Sequence, residues 1–338
     1  KSLGNSPDPL DLIEQYGADG VRAGMLFSSP AGNDLLFDEK LVEQGRNFTN
    51  KIWNAFRLIK GWEIDESLPC PNETAIKWFE SRFNEAFVQI EDHFSKFRIS
   101  DALLTVYKLV WDDFCSNYLE MIKPAYQQPI DKQTLDTTVA FLEKVLKVLH
   151  PFMPFITEEI WHDLKERKEK EYLIVAPWPK RDKFDKQIIE TMETVLNIVG
   201  SVRNIRNSKN IPNSKQLDLY IKVMKHDHYQ PFMGVMRKLA NLNEVEFVKE
   251  SIEGAISFIV SGDEFFIPME GNIDVAAERE RLLKELEYTK GFLASVDKKL
   301  SNERFVSGAP ETVIANERKK KADAEAKINA IEQSLASL

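Results

Sequence analysis

The stretch DEKLVEQGRNFTNKIWNAFRLIKGW, Asp38 to Trp62, decides the fold. Asp38 can accept hydrogen bonds from the free N–H groups of a first helical turn, and no proline follows before Trp62. At about 100° per residue, Phe48, Ile52, Ala55, Phe56 and Ile59 gather on one side, which has to be buried. The other side carries Arg46, Asn50, Asn54, Arg57 and Lys60, flanked by Asn47 and Lys51, with Trp53 among them. One apolar stripe and one polar face make this a member of a helical bundle.

The neighbouring segments repeat that pattern. Upstream, Asp8 and Pro9 open a short helix that ends near Gly17, and a second runs to about Phe27 before a turn over Ser28 to Asn33. Downstream, Asn72 starts a helix to about Phe97, Ser100 another to Ile122, and Asp131 a fourth to Leu149. His150-Pro151-Phe152-Met153-Pro154 breaks that helix, one more passes through Trp161 and Leu164, and Pro177-Trp178-Pro179 marks a domain edge.

Beyond it the period changes. A helix from Asp185 to about Asn207 precedes a strand over Leu217 to Val223 and a short helix over Pro231 to Leu242. Strands follow at Val245 to Val248, Ala255 to Val260 and Glu264 to Met269, the last two joined at Ser261-Gly262-Asp263 as a hairpin. The final segment runs in heptads. Val275, Arg279, Leu282, Leu286, Thr289, Leu293, Val296 and Leu300 alternate steps of four and three, as do Ile314, Glu317, Lys321, Ala324, Ile328, Ile331, Leu335 and Leu338. Ser307-Gly308-Ala309-Pro310 between them requires an antiparallel coiled coil. The expected architecture is therefore mainly α: linker helices over 1–37, a bundle over 38–182, a small α/β domain over 183–273 and a coiled-coil hairpin over 274–338.

Composition excludes several classes. No apolar run approaches the ~20 residues that span a bilayer, so no membrane partner is expected. Cys70 and Cys115 are too few and too far apart for a disulfide framework or a zinc site. His226 and His228 stand two apart, a poor spacing for a metal, and no metal is expected. No nucleophile elbow, phosphate loop or catalytic triad is recognisable. The first residue, Lys1, follows no signal or transit pattern, and the chain is expected to be cut from a longer protein and to be cytoplasmic.

A formal charge of -9 argues against a phosphate-rich partner, but the distribution argues for one. Gly45 to Trp62 holds four basic residues and no acid, Thr194 to Leu217 another four (Arg203, Arg206, Lys209, Lys215) and no acid, and Arg318 to Lys321 is a third island. On the Asp38 to Trp62 helix, amides could read base edges, guanidiniums could hold phosphates and Trp53 could stack a base. Alternatively, Trp53 packs on a neighbouring helix and the amides are merely solvated.

Lys1-Ser2-Leu3-Gly4-Asn5, Pro9, Tyr16-Gly17-Ala18-Asp19 and Arg22 resemble the end of the K-M-S-K-S loop and its continuation in class I aminoacyl-tRNA synthetases. Gly45 to Ala55, then Trp111, Phe114-Cys115, Tyr118-Leu119-Glu120 and His150 to Trp161 resemble the valyl branch of that family. Lys299-Leu300-Ser301-Asn302, Phe305-Val306 and Ala309-Pro310 are similar to that branch's C-terminal arm. The resemblance covers essentially the whole chain. It implies that Lys1 is the second loop lysine, catalytic through the ATP phosphates, and that Ser2 ends the motif.

It further implies that the catalytic and editing domains precede residue 1, so this portion alone should not aminoacylate. ATP with Mg, and valine, would be bound only by the full-length enzyme; the partner of this portion would be the tRNA for valine, gripped by a monomer. Candidate tRNA contacts are Arg46, Asn47, Asn50, Lys51, Trp53, Asn54 and Arg57 at the anticodon. On the arm at the tRNA elbow they are Lys298, Lys299, Arg304, Arg318, Lys319 and Lys320. Isoleucyl and leucyl branches fit less well, the first usually ending in a cysteine-rich zinc module and the second lacking the arm. A non-enzymatic coiled-coil interaction protein is the competing class.

Overall fold

A computed structural model describes residues 7–29, 37–222, 228–268, 275–302, 305 and 310–337. The chain divides into two compact units, Lys1–Glu190 and Thr191–Leu338.

The first unit is helical. Helix α1 (Pro9–Tyr16) is capped by Asp8, whose carboxylate accepts from Leu10 N at 2.9 Å. Helix α2 (Ala18–Phe27) crosses α3 (Glu39–Lys60), which is capped by Asp38 through Lys40 N at 3.0 Å. The crossing is close because glycines meet backbone there. A Cβ on Gly24 would lie 2.5 Å from Val42 Cα, and one on Gly45 would strike the Gly20 carbonyl. Leu12, Val21 and Val42 form the small core beneath.

Helix α4 (Glu73–Ser95) leads into α5 (Ile99–Lys108), which continues as a π-helix over Leu109–Tyr118 and as α6 (Leu119–Ile122). The expected plain helix to Ile122 is thus interrupted. The wider turn lets Leu109, Val110, Asp113, Phe114, Cys115 and Tyr118 all be buried, more directions than one α-helical stripe offers. Phe79, Phe114, Tyr118 and Phe141 meet at its centre with ring centroids 4.9–5.8 Å apart. Helix α7 (Lys132–Leu149), capped by Asp131 through Thr134 N, and α8 (Pro154–Leu164) complete the bundle.

Two contacts fix α2 against the Pro-rich turn. Asp19 accepts from Phe155 N and Ile156 N at the start of α8, and Arg22 donates to the carbonyls of Pro151 and Phe152. Burial raises the Asp19 pKa even though both N–H bonds pull it down.

Helix α9 (Lys186–Ser208) carries the chain into the second unit. There a four-stranded sheet has the order β4-β3-β6-β5, with β3 (Leu217–Lys222) parallel to β4 (Leu242–Phe247). The parallel pair is connected through α10 (Met233–Ala240). Strand β6 (Asp263–Pro268) runs antiparallel to both β3 and β5 (Ala255–Val260). Positive φ at Ser261 (54°) and Gly262 (90°) makes the β5–β6 turn the primed type its sequence signals.

The last two helices, α11 (Val275–Leu300) and α12 (Glu311–Ser337), pack as an antiparallel hairpin. Leu282, Thr289 and Val296 are buried on one and Glu317, Ala324 and Ile331 on the other, each set at the seven-residue spacing of the seam. Ion pairs Glu285–Lys327, Lys290–Glu332 and Asp297–Lys321, at 2.7–2.8 Å, bridge the two helices.

Candidate nucleic-acid interface

Packing of α3 leaves one face outward. Val42, Phe48, Ile52, Ala55, Phe56 and Ile59 are buried, and Arg46, Asn47, Asn50, Asn54 and Arg57 are exposed, so the two faces separate as the periodicity requires. The exposed arc has an aromatic edge on each side. On one, Trp53 is half-buried with its ring 5.3 Å from Phe56, and the Lys60 ammonium lies 5.3 Å from the same Phe56 ring. On the other, the Lys51 ammonium lies 5.3 Å over Trp111, which stacks on Tyr107. Trp53 therefore rests partly on its own helix, and Lys51 is held over an indole.

The arc ends at a cleft of about 810 Å³ lined by Arg57, Leu58, Trp62, Lys123, Tyr126 and Gln128, among others. A two-residue parallel ladder builds it: β1 (Ile64–Asp65) pairs with β2 (Ile130–Asp131), and Ile130 N donates to the Glu63 carbonyl at 2.8 Å. That ladder pins the loop Lys123–Gln128 beside the end of α3. Tyr126 is 89% exposed and its neighbour Gln127 has φ 60°. Sequence reasoning missed Trp62, Lys123, Tyr126, Gln127 and Gln128. The signal was the aromatic-and-amide run Ala125-Tyr126-Gln127-Gln128 between two helices, whose position only the fold reveals. An exposed aromatic with amides beside it can stack an unpaired base and bond its edge.

On the hairpin, the candidate cations fall into two sets. Lys299 and Lys320 both reach the buried Glu317, at 3.5 and 2.6 Å, and the Lys320 hydrogen bond with the Lys299 charge holds that carboxyl below its ordinary range. Lys298, Arg318 and Lys319 are exposed with no ion pair among the described residues. Arg304, like Lys1, Ser2 and His226, lies outside the described residues.

Within the basic island at 194–217, one cation serves the fold. Arg206 is buried and donates to the carbonyls of Pro212, Lys215, Ala240 and Asn241, tying α9 to the end of α10. Arg203 donates to Leu239 O. The Arg206 guanidinium is thus spent on backbone oxygens rather than presented to phosphate, whereas Arg203 stays exposed.

Among the described residues no side chains assemble a reaction centre. Burial pushes the Cys115 thiol up to about 12, which removes it as a nucleophile. Among the described residues no group of three or more His, Cys, Asp and Glu could hold a metal, and no helix is long and apolar enough to cross a membrane.

Known proteins resemble this chain along its length. Residues 76–221 match the family model described as the anticodon-binding domain of tRNA ligase, and residues 274–338 the valyl tRNA synthetase tRNA binding arm. All of the chain aligns with a valine-tRNA ligase from Christiangramia forsetii at 56% identity and one from Parabacteroides distasonis at 53%, covering 39% of each. A Listeria monocytogenes valine-tRNA ligase is 38% identical over 96% of the chain and 38% of its own length. The chain thus spans about two fifths of the length of the curated relatives it matches. It belongs to the valyl-tRNA synthetase family and corresponds to the portion that carries the anticodon-binding domain and the tRNA-binding arm.

Proposed function

We propose that this chain grips the tRNA for valine for an enzyme that joins valine to it through an ATP-derived valyl-adenylate. The anticodon end meets α3 and the cleft at its C-terminus; the elbow meets the α11–α12 hairpin. The observation that carries the reading is the outer arc of α3 from Arg46 to Lys60, which holds no acid, with aromatic edges on both sides and a cleft at its end. Cations there hold phosphates, and the amides of Asn47, Asn50, Asn54 and Gln128 supply donors and acceptors for base edges. On the hairpin, Lys298, Arg318 and Lys319 are the phosphate contacts available without breaking an ion pair, and Lys299 and Lys320 contribute after exchanging Glu317 for phosphate.

Under this reading residues 1–37 link to the catalytic core, 38–182 bind the anticodon, 183–273 connect, and 274–338 form the arm as a coiled coil. Lys1 acts on the ATP phosphates and Ser2 closes its loop in the full-length enzyme, which alone uses valine, ATP and Mg, as a cytoplasmic monomer. The competing interaction-protein reading cannot draw on the heptad seam, because the hairpin buries Leu282, Val296, Ala324 and Ile331 within itself.

The test is competition by an isolated anticodon stem-loop RNA. The stem-loop carrying the valine anticodon displaces tRNA from the chain, and Tyr126→Ala abolishes that displacement. Equal displacement by a stem-loop of any anticodon refutes base reading at this cleft.

A further inference from the structure

We propose that the turn Lys96-Phe97-Arg98, between α4 and α5, is a further RNA contact: Phe97 stacks on an unpaired base and Arg98 holds a flanking phosphate. The inference rests on the RNA-binding reading above and adds a site away from the α3 residues.

Phe97 is 85% exposed and has φ 57°, the left-handed conformation that closes helices and that glycine adopts at no steric cost. A bulky side chain there is an outlier. The turn has the closing bonds of such a cap, with Arg98 N donating to His93 O at 2.9 Å and Phe97 N to Phe94 O at 3.1 Å. Its aromatic ring closes nothing. A sequence chosen for stability alone would place glycine at this position, so the phenylalanine points to a role outside the fold.

The platform beneath it is rigid. Phe94, one turn earlier, stacks on Phe152 with centroids 5.8 Å apart and planes at 19°, and meets Trp178 at 6.0 Å. Asp92 pairs with Lys96 at 2.7 Å and its carbonyl accepts from Ser95, while Ser100 donates to the Ser29 carbonyl across to α2. An exposed aromatic on this fixed turn, beside the exposed Arg98, suits an unpaired base with a flanking phosphate, because stacking tolerates any base. Charge complementarity favours RNA over an apolar protein surface, which would have to desolvate both cations.

The experiment measures binding of a valine tRNA transcript by the chain, by Phe97→Gly, Phe97→Ala, Phe97→Tyr and Arg98→Gln, together with their melting temperatures. Phe97→Gly is expected to bind about tenfold more weakly or worse, with an unchanged salt slope, while melting at or above the temperature of the unsubstituted chain. Phe97→Ala binds as weakly but melts below Phe97→Gly, Phe97→Tyr keeps the affinity, and Arg98→Gln lowers the salt slope by about 0.7–0.9. A Phe97→Gly variant that binds like the unsubstituted chain, or that melts lower, overturns the assignment. Failure of the unsubstituted chain to bind overturns the RNA-binding reading itself.

Discussion

Replacing Asp19 by alanine tests how α2 is locked to the rest of the bundle. The carboxylate accepts from Ile156 N at 2.6 Å and Phe155 N at 3.3 Å, both orphan donors at the N-terminus of α8. A short charge-assisted bond contributes about 1.5–3 kcal/mol, the long one less, and the helix dipole a further few tenths to 1 kcal/mol. Against this stands the cost of burying the charge, which dominates the pKa and raises it. The net loss for Asp19→Ala is about 2 kcal/mol, and Asp19→Asn, which keeps an acceptor without the charge, loses about half of that. The sign of the pH effect follows. A carboxyl whose folded pKa is raised favours the folded state below its unfolded value, near 3.8, and that advantage disappears as pH rises through the folded value. The chain should therefore gain stability relative to Asp19→Asn on moving from pH 7 to pH 4. Urea denaturation of the three proteins at both pH values measures this. Loss below about 0.5 kcal/mol in Asp19→Ala, or an Asp19→Asn deficit that does not grow at pH 4, would refute the cap.

Other substitutions probe other links. His150 bonds to the Thr157 hydroxyl through Nδ1 at 2.8 Å, its Nε2 is buried without a partner, and burial lowers its pKa below 6.5. Its contribution is thus present above about pH 6.5 and lost as pH falls through the lowered value, so thermal melts between pH 7 and 5 should fall more steeply for the chain than for His150→Gln. Gly45→Ala should destabilise by about 1–2 kcal/mol in chemical denaturation despite alanine's better helix propensity, because its methyl group meets the Gly20 carbonyl rather than a movable side chain. Trp53→Ala should weaken only anticodon-dependent tRNA binding in a filter assay. Lys319→Ala with Lys320→Ala should weaken binding of every tRNA and flatten its salt dependence, by less than two full phosphate contacts because Lys320 is shared with Glu317.

What the sequence made legible was local chemistry. Asp8, Asp38 and Asp131 cap the helices they precede, Ser261-Gly262 turns the hairpin, and the seven-residue spacing of Leu282, Thr289 and Val296 identifies the buried seam. Each of those signals is contained within a few residues. The π-helix was not legible, because it answers to aromatics from α4 and α7 that surround Leu109–Tyr118 in space. Arg206 read as a surface cation because only the fold brings the carbonyls of Ala240 and Asn241 to it. The exposed arc of α3 was legible from periodicity, whereas the cleft at its end depends on a two-residue ladder between Ile64 and Ile130, far apart in sequence. The family resemblance supplied what periodicity could not, a tRNA as the partner, and the matches over residues 76–221 and 274–338 to tRNA-binding domains agree with that.

The most direct test of the account is the affinity of this chain for a valine tRNA transcript beside the same transcript with its anticodon replaced, at two salt concentrations. Tighter binding of the valine anticodon at both salts, with both transcripts weakening in parallel as salt rises, is the predicted result: base reading at α3 and phosphate holding on the arm. Equal affinity for the two transcripts at both salts would contradict anticodon recognition by α3 and its cleft.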